Sequence, residues 1–447
     1  MKIRQALVLD DSSRAARSLL SDLEQLGLQI LPSSSCLIEG PEQILVGNSQ
    51  SVSNPESLGI VRQALSCGCT ILFDLQRFPE VQDEIKLTGG LSEETRKKLS
   101  AYAMYKCIER DAEQLASLQG KLPDYMVVAY EKVQDLRYGE NWHQKAALYR
   151  KPGGFGLYKA AKLNGREMSY NNVVDAETVL EILIDLSEYD GIRVNEALSV
   201  IVKHANPCGV AYGSDLEAAY RASFATDPKS AFGGVIGFNR PVDVKTARAI
   251  GDSFVEVLLA PGYDSEALKL LTEKKPNRRI LDVGDLLSRK EELYSDQFVK
   301  GVFGGLLVQD YDTGDIKEWR VVTGRKPTDS ESRALRFAWK IAKYVKSNAL
   351  VYTTEDRTIG IGSGQVSRVD SARFGAEKAV EHGLCTKGTV AATDSFFPFR
   401  DGLEETHRAG ATAVIHPGGS IRDAEVIQAA DEYDMAMVFT GMRHFRH

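Results

Sequence analysis

The chain has 447 residues, 43% hydrophobic and 26% charged, which suits sizeable buried cores in about two to four domains. A formal net charge of -7 argues against a nucleic-acid binder held by bulk charge, while a single basic pocket for one phosphate is compatible with it. The first apolar run is too short for a signal peptide, no run approaches a membrane span, and the six cysteines are too scattered for a disulfide framework. These features predict a cytoplasmic protein that engages neither membrane nor nucleic acid.

Ala6–Leu9 reads as a buried strand, Asp10–Ser13 offer N-caps, and Arg14–Leu26 has helical spacing that ends at Gly27. A strand over Leu28–Leu31, a loop at Ser33–Ser35, a strand at Ile44–Val46, a helix from Pro55 to about Cys67 and a strand at Thr70–Phe73 follow. This alternation predicts a small parallel α/β unit. Cys67-Gly68-Cys69 has no partner pair at zinc spacing and reads as a helix end before a strand start. Ser92, with Glu93 and Glu94 behind it, is placed to cap a helix running to about Leu118. Gly120–Pro123 reads as a linker, so the expected domains are 1–120 and 121–447.

Beyond Asp135, polar and aromatic loops separate short apolar runs at Ser199–Val202, Val235–Phe238, Val255–Ala260, Gly305–Val308, Leu350–Tyr352, Val390–Ala392 and Ala413–Ile415. Helical patterns at Glu217–Ala225, Ser330–Lys343 and Asp370–His382 lie among them, which predicts layered α/β subdomains. Ile201-Val202-Lys203-His204 echoes Val414-Ile415-His416-Pro417, which permits a duplicated subdomain.

The stretch Val200–Gly209 is the strongest candidate platform for chemistry. Val200-Ile201-Val202 reads as a buried strand, Lys203, His204 and Asn206 follow at its carboxyl end, and Pro207 and Gly209 are expected to turn the chain. Open α/β sheets place ligands at the carboxyl ends of strands. The alternative is a strand end with a solvated Lys and a hydrogen-bonded His. Pro207-Cys208 after His204 raises a zinc deaminase, but that chemistry needs His-x-Glu and Pro-Cys-x-x-Cys. Asn206 and Ala211 occupy the deciding positions, so no catalytic metal is expected.

Other stretches carry two readings each. Arg137–Lys145 is dense in ligand-capable groups, with Arg137 suited to a phosphate and Tyr138 to stacking, or it is a solvated loop. Asn348 stands just before a strand, as a donor to a carbonyl or as a cap. Gly360–Gln365 lacks dinucleotide-fingerprint spacing and reads as a turn that lets a ligand approach, with Arg368 beyond it suited to an anion or a salt bridge. Thr393–Asp401 sets three aromatics and Pro398 beside two carboxylates, suited to a flat heterocycle or to a buried turn with Asp401 as a helix N-cap. Thr440–His447 reads as docked, with Arg443 a second candidate phosphate ligand, or as an exposed basic tail.

In order along the chain, Leu136–Lys145, Val202–Gly209, Asp227–Gly234, Ser347–Val351, Gly360–Arg368, Thr393–Asp401, Gly410–Asp423 and Thr440–His447 resemble one family. It is the formyltransferase part of the bifunctional 5-aminoimidazole-4-carboxamide ribonucleotide (AICAR) transformylase/IMP cyclohydrolases. The resemblance covers about Asp135 to His447. It implies an α/β fold of two related cytidine-deaminase-like α/β/α subdomains, about 121–325 and 326–447, without zinc. It also implies a homodimer with active sites between subunits, and transfer of the formyl group of 10-formyltetrahydrofolate to the 5-amino group of AICAR in IMP biosynthesis. Carried over by motif, Lys203, His204 and Asn348 are the catalytic residues. Arg137, Tyr138, Glu256 and Arg443 contact AICAR, the two arginines at its phosphate. Phe232, Gly233, Ile361, Pro398, Phe399 and Asp401 form the folate pocket.

The residue types suit that chemistry. The acceptor amine is a poor nucleophile, and an imidazole titrating near ~6.5 can take its proton as attack proceeds. Lys203 and Asn348 are donors for the tetrahedral oxyanion, one such donor typically contributing roughly 3–4 kcal/mol. There are departures: Trp142 stands where the family usually has proline, and Thr393 and Ser395 are mild substitutions. Before residue 120, the Ser-Thr-Gly-Gly-Thr, Lys-Thr-Leu-His-Pro and Ile-Asp-Ile-Gly-Gly segments of the cyclohydrolase domain are absent. The expectation is a transformylase with a reduced N-terminal domain, served by a separate IMP cyclohydrolase. The alternatives are a bifunctional enzyme with unrecognised cyclohydrolase residues, and a non-catalytic nucleotide- or folate-binding regulator.

Overall fold

The computed structural model describes residues 3–9, 21–32, 38, 40, 42–47, 54–73, 78–189, 192–273 and 275–447. The caps expected at Asp10–Ser13, the first part of the Arg14–Leu26 helix and the loop at Ser33–Ser35 lie outside the described residues. The chain divides into two compact units, Met1–Glu131 and Lys132–His447. Among the described residues no helix is long and apolar enough to cross a membrane.

The first unit holds a parallel sheet in the spatial order Gln29–Pro32, Gln5–Val8, Gln43–Val46, Thr70–Leu72. Successive strand residues face opposite cores: Ala6, Ile44 and Val46 on one side, Leu7, Leu45 and Ile71 on the other. Pro55 opens the helix Pro55–Ser66, and the Asn54 side chain accepts the Glu56 N–H. Ser92 caps Glu93–Ser117 by accepting the Thr95 N–H. The helix Phe78–Thr88 is not announced by the sequence pattern, because Val81 and Ile85 are the apolar pair that buries it.

The second unit contains two six-stranded sheets with the same strand order and senses. The first runs Asn206–Gly213, Ala197–Lys203, Val235–Phe238, Val257–Ala260, Arg279–Asp282, Ala161–Asn164. The second runs Thr358–Gly362, Leu350–Thr353, Val390–Thr393, Ala413–His416, Ala436–Phe439, Arg320–Val321. In each, a hairpin pairs antiparallel with three parallel strands, and an antiparallel strand closes the far edge. The repeated path makes Ala197–Lys203 the counterpart of Leu350–Thr353. The sequence echo at Val414–Pro417 falls on Ala413–His416 instead, whose counterpart is Val257–Ala260, so the echo does not mark the repeat.

Helices Tyr170–Leu186 and Asp329–Ala342 lie between the sheets. Val179, Leu183, Leu335 and Trp339 share one core with Val200, Val202 and Val257 of one sheet and Val351, Ala392 and Ile415 of the other. The alternate strand residues Ile201, Ile236 and Leu258 pack outward on Leu216–Thr226, Val244–Ile250 and Ser265–Glu273. Tyr352, Val414 and Met437 do the same against Arg368–Glu381, Arg400–Arg408 and Asp423–Glu432. The result is helix, sheet, helix, sheet, helix. The run at Gly305–Val308 joins none of these layers; Gly305–Asp310 pairs with Gln297–Val302 as a largely exposed ribbon.

His416 is fully buried between Phe397 and Phe439, and its Nδ1 accepts the Gly418 N–H at 3.1 Å. Burial, with the nearby Arg368 charge, pushes its imidazole down to about 3. The unfolded chain therefore takes up a proton near pH ~6.5 that the folded chain refuses, and stability falls as pH drops below that value. Between pH 7 and 5 the loss attributable to His416 is expected to be about 2 kcal/mol. Urea unfolding of wild type and His416→Gln at both pH values checks this: the variant should lose correspondingly less, and an equal loss in both would refute it.

Candidate active site

Lys203 pairs with Asn206, so His204 and Ala205 alone make the hairpin turn between Ala197–Lys203 and Asn206–Gly213. Both sit in the left-handed region, at φ 55° and 56°. Turns of this kind favour Asn-Gly, and each L-residue held there costs roughly 1–2 kcal/mol. Backbone strain of this sort collects at functional sites. Pro207 and Gly209 do not turn the chain, contrary to the sequence expectation. They continue into an edge strand, where a missing N–H is tolerated, and the register shift opposite Ile201 and Val202 absorbs Cys208.

Three contacts set this turn in place. Lys203 Nζ donates to the Phe232 carbonyl at 2.7 Å. Asp175, buried on Tyr170–Leu186, accepts the Ala205 N–H at 2.7 Å. Burial pushes the Asp175 carboxyl up, and the N–H groups of Ala205 and His204 pull against it. Asn206 Oδ1 accepts the Lys346 N–H at 2.9 Å, which ties the turn to the chain just before Asn348.

Because Ala197–Lys203 runs antiparallel to Val235–Phe238, its carboxyl end lies at the amino edge of the three parallel strands. Glu256 and Arg279 sit at that same edge. The carboxyl-edge expectation is therefore corrected for the first sheet. In the second sheet Leu350 pairs with Thr393, so Asn348 does lie at the carboxyl edge, beside Asp394. The site draws on opposite edges of two sheets.

The hairpin edges of the sheets meet. Tyr212 N–H donates to Asp356 O at 2.7 Å, Val210 N–H to Thr358 Oγ1 at 2.9 Å and Thr226 Oγ1 to Thr358 O at 2.8 Å. A cavity of about 310 Å³ lies at this seam, lined by Lys203, His204 and Cys208 from one side and Ile361, Ser363 and Gln365 from the other. Burial pushes the Cys208 thiol up to about 12, so it stays protonated and is no nucleophile. Asp227, also in the wall, pairs with Lys378 and His382; burial lifts its carboxyl, and the Lys378 and Ser230 bonds outweigh that and hold it low.

Asn348 is clamped at both ends. Its Nδ2 donates to Gln365 O at 2.9 Å, and its Oδ1 accepts from Arg368 Nη2 at 2.9 Å. Arg368 in turn bonds Thr393 Oγ1, Phe396 O and the fully buried Asp394. Arg368 is thus a salt-bridged support for Asn348 rather than a free anion ligand. Gly360 and Gly362 also differ from expectation: a Cβ on either would lie 2.2 Å from Gly375 O or 1.9 Å from Ser371 O. These two glycines let the helix Arg368–Glu381 press on the strand, while Ile361, Ser363 and Gln365 of the same stretch line the cavity.

A second cavity, of about 360 Å³, is lined by Arg137, Arg166, Phe254, Glu256, Lys275 and Arg279 among others. Its cations exceed its carboxylates, as a phosphate pocket requires. Glu256 pairs with the buried Arg279 at 2.5 Å, and Arg137 lies 5.0 Å from the Tyr138 ring centre. Phe254 of this cavity meets Phe232 at 5.1 Å between ring centres, and Phe232 is the residue that holds Lys203. Gly233 follows at φ 74°.

The remaining predicted residues lie on the second sheet's side. Phe397 is buried, while Phe399 and Pro398 are exposed, with Arg422 over the Phe399 ring at 4.7 Å. Phe399 occupies the N-cap position of Arg400–Arg408, so Asp401 is a first-turn residue and not the cap. Arg443 is exposed on the Phe445 ring, and its neighbour His444 is buried, donating its N–H to Asp394 O at 3.0 Å. Thr440–His447 is anchored through the buried Thr440 and His444 and through Arg446 on Glu181 at 2.8 Å.

The AICARFT/IMPCHase bienzyme family matches residues 68–378. The chain belongs to this family. The bifunctional purine biosynthesis protein PurH of Chloroflexus aurantiacus is 46% identical over 381 residues, which cover 84% of this chain and 71% of that protein. The PurH proteins of Persephonella marina and Acidithiobacillus ferrooxidans are each 44% identical, over 85% of this chain and 73% of their own length. The family match contains both cavities and begins inside the first unit; Thr393–Asp401 and Arg443 lie beyond its end. Sequence reasoning overlooked Asp175 and Asp394 as supports of this family's site. The available signal was an acid at helical spacing from the apolar residues Val179, Ile182 and Leu186, or directly after a buried strand.

Proposed function

We propose that this chain transfers the formyl group of 10-formyltetrahydrofolate to the 5-amino group of AICAR, giving formyl-AICAR in purine (IMP) biosynthesis. The observation that carries the reading is the left-handed turn that presents His204 beside Lys203 at the wall of a cavity shared by both sheets. In this reading Arg137 and Arg443 hold the nucleotide phosphate, with Tyr138 and Glu256 on the rest of the nucleotide. Phe232, Gly233, Ile361, Pro398, Phe399 and Asp401 receive the folate.

The amine attacks the formyl carbon, and His204 takes the proton it sheds. The carbonyl oxygen becomes an oxyanion, for which Lys203 and Asn348 are donors. One Lys203 proton is engaged by Phe232 O and one Asn348 proton by Gln365 O, which leaves further N–H groups on each. Collapse breaks the bond from the formyl carbon to the folate nitrogen, and that nitrogen regains the proton from His204. The reading includes two cytidine-deaminase-like subdomains, about 121–325 and 326–447, a cytoplasmic homodimer with active sites at the subunit interface, no catalytic metal, and a first domain (1–120) without cyclohydrolase activity. A separate cyclohydrolase then completes IMP.

A bifunctional enzyme is the second reading, favoured by the relatives being bifunctional purine biosynthesis proteins and by a family match that starts at residue 68. Incubating the purified chain with AICAR and 10-formyltetrahydrofolate and separating the products decides between them. Formyl-AICAR is expected to accumulate. IMP made by this chain alone would establish the second reading, and absence of both products would remove the formyl-transfer proposal.

A further inference from the structure

The turn that carries His204 is restrained by a carboxylate from a different element. Asp175 is 8% exposed, on a helix whose neighbouring residues Ala176 and Val179 belong to the core between the sheets. An acid in that position is costly to bury unless its oxygens find donors. Its Oδ1 finds one at the Ala205 N–H, 2.7 Å away. That amide joins two consecutive L-residues held at φ 55° and 56°. If either relaxed to negative φ, the peptide between them would rotate and the N–H would leave the carboxylate. The buried acid and the left-handed pair are each unfavourable alone, and each stabilises the other.

We infer that Asp175 is a positioning residue for His204, holding the His204-Ala205 turn in the conformation that presents the imidazole to the cavity. Its effect on rate rests on the proposed role of His204; its hold on the turn does not. Lys203 is held separately, by Phe232 O, so loss of Asp175 should move the imidazole more than the ammonium.

The test compares Asp175→Asn, which keeps an acceptor oxygen, with Asp175→Ala, which removes it, in the full chain. Hydrogen exchange of the peptide spanning Lys203–Asn206 is expected to rise in Asp175→Ala and to stay near wild type in Asp175→Asn. With AICAR and 10-formyltetrahydrofolate, kcat should fall about 10²-fold in the Ala variant with little change in KM, the size expected for a misplaced catalytic group. Adding Ala205→Gly should restore part of that loss, because glycine takes the left-handed conformation without strain. The double variant also serves if Asp175→Ala does not fold. Unchanged exchange in the Ala variant overturns the inference whatever the rates do. Faster exchange with unchanged kcat, while His204→Ala is inactive, overturns the link to catalysis. If His204→Ala is itself active, the proposed role of His204 fails, and exchange alone decides whether Asp175 holds the turn.

Discussion

His204→Ala is expected to lower kcat for formyl transfer by about 10³-fold, the middle of the span usual for a positioned acid–base group. Nucleotide affinity should change little, because the phosphate-suited cavity is built from Arg137, Arg166, Lys275 and Arg279. Alanine has a Cβ, so it carries the left-handed cost at φ 55° that glycine avoids and leaves the turn no easier to hold. His204→Asn separates chemistry from conformation. Asparagine tolerates the left-handed region better than most residues and has no basic nitrogen. It should therefore fold at least as well as wild type and remain as inactive as the Ala variant. Steady-state rates together with equilibrium binding of AICAR make the comparison. Turnover within a few-fold of wild type in either variant would take His204 out of the mechanism.

What was legible in the sequence was the part written in local periodicity. Val200-Ile201-Val202, Val235–Phe238 and Ala413–Ile415 are short apolar runs, and each is a strand with both faces buried. Lys203 and His204 stand out by type, Ile361 only through the resemblance, and the three lie together at one cavity. Arg137 and Glu256 lie together at the other. What could not be read depends on partners distant in sequence. Pro207 and Gly209 look like a break, yet an edge strand has one unpaired side and accepts them. Which edge of the sheet carries the site follows from the sense of one hairpin relative to Val235–Phe238, a pairing no local pattern encodes. Gly360 and Gly362 look like a ligand-facing loop because glycine reports close approach without saying what approaches; here it is a helix. Asp175 was hidden for the complementary reason, because it acts through the Ala205 N–H across the fold, whereas the salt-bridge alternative at Arg368 was legible and its partner proves to be Asp394.

The second large effect is on stability. Asp185→Asn is expected to destabilise the second unit by about 3–5 kcal/mol, the cost of leaving buried charges without their partner. Asp185 is 6% exposed, at the end of the helix Tyr170–Leu186, and faces Lys340 and Lys343, at 5% and 7% exposure, from the region of Asp329–Ala342. Its Oδ1 lies 3.3 Å from Lys340 Nζ, and its Oδ2 lies 3.3 Å from Lys343 Nζ and 3.0 Å from the Tyr344 hydroxyl. Lys340 also donates to the carbonyls of Asp185 and Glu188, at 2.9 and 3.0 Å, where a helix end leaves acceptors free. Burial alone would raise the Asp185 carboxyl; the ammonium groups of Lys343, Lys340 and Lys290 outweigh it and hold it below the ordinary range. With the folded value depressed, this stabilisation is complete above pH ~3.9 and is lost as pH falls through the folded value. Asparagine keeps the shape and one acceptor but removes the charge, so the nearly buried ammonium groups of Lys340 and Lys343 lose the carboxylate that stands between them. Urea midpoints at pH 7 measure the loss. Removing the three central charges together, as Asp185→Leu with Lys340→Met and Lys343→Met, should recover part of it, because their desolvation cost goes with them while the carbonyls of Asp185 and Glu188 lose the Lys340 donor. If Asp185→Asn loses less than about 1 kcal/mol, as an exposed pair would, the cluster is solvated and this account of how the two central helices are joined is wrong.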